Sequence, residues 1–151
     1  MFTKVRWLMI AVLLNAGIFA VWADEKRVDH SDTPILRETI SAIAACVHWA
    51  GEVGDQSEER NREIEKGVAR DCPEAERKAG AALKRFPSDP ELSESILELN
   101  DAGHFELSAE EKNRLCQNAM PIFRRKLSEE KITPAYLQQR CPAQFETLYR
   151  K

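Results

Sequence analysis

The chain is predicted to be all-α: a small bundle of five to six short helices, stapled by two disulfides and preceded by a cleaved signal peptide. Three observations predict it. Apolar residues recur at three- and four-residue steps wherever a period is readable. No segment alternates like a half-buried strand, and β-branched runs are absent. Four cysteines lie beyond an N-terminal export pattern, an even count that implies two bridges in a short exported chain.

The export pattern comes first. Lys4 and Arg6 precede an uncharged run from Trp7 to Trp22, and Val21-Trp22-Ala23 offers a small-residue exit before Asp24. The run is 16 residues long, whereas a spanning helix needs about 20. Residues 1–23 are therefore expected to be a signal peptide, 24–32 a flexible polar tail, and 33–151 a single helical domain. Removing the signal takes Lys+Arg from 22 to 20 against 25 acids, so the mature chain carries a net charge near −5. With 43% apolar and 31% charged residues, it is neither collagen nor low-complexity. It is also no basic nucleic-acid binder that neutralises many phosphates.

The first helix follows from Leu36, Ile40, Ile43, Val47 and Ala50, with Ile35, Ala42, Cys46 and Trp49 widening the apolar arc to about 180°. Thr33 is its expected cap, Pro34 suits the first turn, and Gly51 ends it. So broad an arc marks it as the central helix. A second helix, about Ser57 to Asp71, has only Ile64 and Val68 as large apolar residues, a stripe that reaches Cys72. Its docking is expected to lean on a disulfide. Cys72-Pro73 opens a third, with Ala75, Ala79, Ala82, Leu83 and Phe86 on one face. After the turn Pro87-Ser88-Asp89-Pro90, a fourth carries Leu92, Ile96 and Leu99, and Asn100 to Gly103 stops it. Ser108 and Glu111 form a capping box for a fifth, with Leu115, Cys116, Ala119, Met120, Phe123 and Leu127, in which Pro121 should cause a bend or interruption. Thr133-Pro134 caps a sixth bearing Leu137, Cys141, Phe145 and Leu148, and Pro142 places a break at Cys141. Arg70-Asp71-Cys72-Pro73 and Gln139-Arg140-Cys141-Pro142 look alike, but their flanks do not otherwise align.

Pairing among Cys46, Cys72, Cys116 and Cys141 stays open. Sequential bridges would close similar loops, with 25 and 24 residues between the partners. Yet in a straight hairpin turning near Gly54, Cys46 and Cys72 would sit about 15 Å out of register, beyond the ~7 Å that a bridge tolerates. The alternative joins Cys72 to Cys141 and Cys46 to Cys116.

The densest candidate site is His48, Trp49 and Glu52 with the neighbouring Asp55, Glu59 and Arg60. His48 and Glu52 stand at i and i+4, so both can project from one patch with an aromatic at its edge, suited to titration or to partner binding. The same residues also describe an ordinary helix C-terminus, where a histidine meets the dipole and Gly51 caps. No metal site is expected: His30, His48 and His104 are the only histidines, and no His-Glu-x-x-His or Cys-x-x-Cys occurs. No cofactor is expected, and no nucleophile motif or phosphate-cradling loop is present. Arg77-Lys78, Lys84-Arg85 and Arg124-Arg125-Lys126 read as solvated faces.

The expected function is a periplasmic or secreted, non-enzymatic protein-binding module, such as an inhibitor or immunity protein. Its expected partner is another envelope protein, with no nucleic acid and no membrane insertion after signal cleavage. A small-ligand or metal carrier, or a periplasmic stress chaperone, is the alternative.

Overall fold

The structure is a computed structural model that describes residues 33–52, 54 and 56–150. The expected signal peptide and tail, and Asp55 of the candidate site, lie outside the described residues. The described residues form six helices: α1 Thr33–Gly51, α2 Glu58–Arg85, α3 Pro90–Asp101, α4 Ala109–Ser128, α5 Pro134–Arg140 and α6 Pro142–Tyr149. Two disulfides join Cys46 to Cys72 and Cys116 to Cys141, so pairing is sequential.

Local signals account for most boundaries. Ser57 Oγ, Asp89 Oδ1 and Thr133 Oγ1 each accept from the backbone N–H three residues on, and the Ser108–Glu111 capping box closes in both directions. Each satisfies donors that a helix start leaves without partners. Gly103 adopts φ +81° after α3, and the next two amides complete the left-handed stop: Gly103 N donates to Asn100 O and His104 N to Leu99 O. Cys141, ahead of Pro142, leaves helical geometry at φ −132°, ψ 66°, and separates α5 from α6 as expected.

Two expectations about helix breaks need correction. The anticipated second and third helices are one: α2 runs 28 residues, with Pro73 inside it. Ile64, Gly67, Cys72, Ala75, Ala79 and Ala82 are all buried on α2, and their steps of three to five residues keep a single face toward α1. Packing on both sides of Pro73 and the bridge at Cys72 hold the helix across the missing hydrogen bond, while the ring stays exposed. Pro121, also exposed, likewise sits within a continuous α4. The resemblance between the two Cys-Pro segments ends here, since one lies mid-helix and the other opens a helix.

The register problem has a simple resolution. Trp49 packs on Gly67 and bonds Asp71, while Glu38 pairs with Lys78, so α1 and α2 run antiparallel with Glu52 opposite residues near 66. The first two turns of α2 therefore extend about 12 Å beyond the end of α1. The six residues between the helices have ample reach for that offset at about 3.4 Å each. Cys46 and Cys72 then face one another, 4.6 Å apart at Cα.

The centre of the bundle is α3 rather than α1. It packs against α1, α2 and α4, and Leu92, Ser93, Glu94, Ser95, Ile96, Leu97 and Leu99 are all buried. Hydrophobic burial thus surrounds nearly its whole circumference, while Ile35 near the start of α1 stays exposed. Phe123, Ile43, Leu115 and Leu137 complete the core, and all four half-cystines are buried within it. Among the described residues no helix is long and apolar enough to cross a membrane.

Candidate functional site

Trp49 organises the sequence-predicted patch. It leaves α1 on the side of α2, and its indole covers Gly67 so closely that a Cβ there would lie 2.3 Å from Trp49 Cδ2. Nε1 donates to Asp71 Oδ2 at 2.8 Å. Asp71 in turn accepts from both Nε and an Nη of Arg70, at 2.8 Å each. The Arg70 guanidinium holds the Asp71 carboxyl below the usual carboxylate range; partial burial opposes this, and the indole N–H adds to it.

The charged residues form a chain across the end of the hairpin. His48 Nε2 lies 3.5 Å from Glu52 Oε1. The other oxygen of Glu52 accepts from Arg60, whose second Nη donates to Glu63 Oε2 at 2.7 Å. These two carboxylates, Glu63 foremost, raise the Arg60 pKa further. The guanidinium also lies 5.8 Å from the centre of the Trp49 ring, within cation–π range, and the His48 and Trp49 rings are 5.5 Å apart. Thus His48, Trp49, Glu52 and Arg60 are brought together. Glu59 is exposed on the same turn as Arg60, beside an open groove that it lines with Arg62, Glu63 and Lys66.

Three participants were not anticipated: Gly67, Asp71 and Glu63. A glycine within a charged helix costs about 1 kcal/mol against alanine, and that anomaly was the available signal for a close approach.

No protein family matches the chain, and no curated protein or solved structure matches it significantly.

A second polar cluster lies on α3. Glu94, Glu98 and Asp101 occupy one stripe and meet Lys126 and Lys112 of α4 and Arg140 of α5. Arg140 Nε donates to Asp101 Oδ2 at 2.7 Å, and its guanidinium stacks 4.4 Å from the Tyr136 ring centre. Burial raises the Glu98 pKa, and the nearby Glu94 charge adds to the effect. Arg140 is thereby a clamp between helices. In the first cluster Arg60 links Glu52, beyond α1, to Glu63 of its own helix, and in the second Arg140 and the two lysines reach the acids of α3 from α4 and α5.

Proposed function

We propose that this protein is an exported, non-enzymatic protein-binding module that acts on another envelope protein, in the manner of an inhibitor or immunity protein. The observation that carries this reading is the polar strip His48–Glu52–Arg60–Glu63 at the end of the α1–α2 hairpin, in which Arg60 stands between two carboxylates. Trp49 and the Cys46–Cys72 bridge pin the two helices beneath it. A strip whose side chains already hold one another loses less conformational freedom when a partner docks, and alternating charge favours one register over others. Export is supported by the N-terminal pattern together with two buried disulfides, since such bonds persist in oxidising compartments. The indole N–H of Trp49 is engaged by Asp71, which favours a positioning role for this side chain over direct ligand contact through that group.

Affinity capture from envelope extract tests the proposal. One partner at equal stoichiometry is expected, and Arg60→Glu should weaken its retention at least tenfold while helicity is preserved. Recovery of no stoichiometric partner would overturn the reading, and so would equal retention by the variant, because the strip would then not be the docking surface.

A further inference from the structure

A ligand-capable cluster lies away from the charged strip, at the first disulfide. The left-handed stop after α3 turns the chain so that His104 reaches the Cys46–Cys72 bridge. One ring nitrogen and the two sulfurs all lie within 4.8 Å of one another. Among the described residues it is the one group of three histidine, cysteine or acidic side chains so placed. Both cysteines are buried, and the His104 side chain is 26% exposed. Glu76, one turn beyond Cys72 on α2, sets Oε1 3.2 Å from His104 Nδ1. Among the described residues the second bridge, Cys116–Cys141, has no such histidine group.

We infer that Cys46, Cys72 and His104, once the bridge between them is reduced, bind one divalent ion of the zinc type, with Glu76 positioning the imidazole. The inference concerns the reduced chain and makes no use of the charged strip. Reduction needs a two-electron donor. A dithiol supplies two electrons and two protons, becoming a disulfide as the Cys46–Cys72 bond becomes two thiols. A phosphine with water does the same and ends as the phosphine oxide. Each thiol then loses its proton as its sulfur takes the ion. Two thiolates and an imidazole are a zinc-type donor set, with bonds of about 2.3 Å to sulfur and 2.0–2.1 Å to nitrogen. Those lengths set neighbouring sulfur and nitrogen donors about 3.5–3.8 Å apart in a tetrahedron, inside the 4.8 Å within which the three atoms already lie. A carboxylate on a metal-bound imidazole commonly raises affinity about 10- to 100-fold. The ion would thus restore, at the same place, the link between α1 and α2 that reduction removes.

Cobalt(II) chloride titration of the phosphine-reduced chain, without oxygen, tests this. The expected result is one equivalent of tetrahedral thiolate-bound cobalt, read from the charge-transfer and visible ligand-field bands and displaced by zinc. Helicity lost on reduction should return with the ion. His104→Ala should weaken cobalt binding at least tenfold and Glu76→Gln by a smaller factor. The Cys116→Ser/Cys141→Ser variant should keep the spectrum, and Cys46→Ser/Cys72→Ser should lose it. A tetrahedral spectrum that forms equally well in His104→Ala would overturn the inference. It is also overturned if no such spectrum appears, if the oxidised chain binds cobalt equally, or if the signal follows the second cysteine pair.

Discussion

Trp49 is held by contacts of three kinds: the backbone of Gly67 beneath its ring, Asp71 at its N–H, and the Arg60 guanidinium near its face. Gly67→Ala should gain about 1 kcal/mol of helix propensity. The new methyl would instead strike a rigid ring, and overpacking of that kind costs about 1–3 kcal/mol. A net loss of stability is expected in urea denaturation. In a Trp49→Ala background the same substitution should stabilise, because the space is open; a double-mutant cycle reads the reversal of sign. Two carboxyls give opposite pH dependences. Asp71 has a lowered folded pKa, so its contribution is present above the unfolded value and lost as pH falls through the folded one. Asp71→Asn should flatten that acid limb. Glu98 has a raised folded pKa, so the folded state favours its protonated form and its charge is unfavourable at neutral pH. Glu98→Gln should therefore exceed the parent in stability at neutral pH, with the gap closing on acidification. Of the site residues, His48 and Glu52 were legible from i,i+4 spacing. Glu63, at i+3 from Arg60, was open to the same spacing rule; the Trp49–Asp71 bond was not, because it depends on the register between α1 and α2.

At the scale of elements, caps were the most legible feature. Ser108 and Thr133 bond where their residue types and spacing indicated, and Ser57 and Asp89 cap their helices in the same way, since capping is a local hydrogen-bond requirement. Prolines were less legible, because their effect depends on what packs around them. Pro142 breaks the chain, whereas Pro73 and Pro121 do not. The buried face of α2 keeps its register through Pro73, and that continuity was already visible in the apolar spacing. An interior proline removes a backbone bond and crowds the preceding turn, at about 3 kcal/mol. Pro73→Ala should accordingly raise stability, by up to about that amount, in urea denaturation, with little change in helix content. A fall in stability, or a gain of a whole new turn of helix, would show that α2 is not continuous there.

At the scale of the whole molecule, the all-helical class was legible from periodicity, but the centre was not. The wide apolar arc of α1 suggested a middle position, while α3, with Ser93, Glu94 and Ser95 in its sequence, is the helix buried nearly all round. Polar residues at buried positions hide a central helix from any reading of apolar pattern, and here Glu94 is accommodated by Lys126. The two disulfides tie α1 to α2 and α4 to the α5–α6 junction, closing loops with sequence separations of 26 and 25. In the chain-entropy description each contributes about 3.5 kcal/mol. Together they approach the net stability of a typical domain, about 5–15 kcal/mol. The most direct test is the thermal unfolding of metal-free protein followed by circular dichroism, with and without a phosphine reductant. Reduction is expected to lower the midpoint severely or to abolish the cooperative transition. An unchanged midpoint with all four thiols free would contradict it.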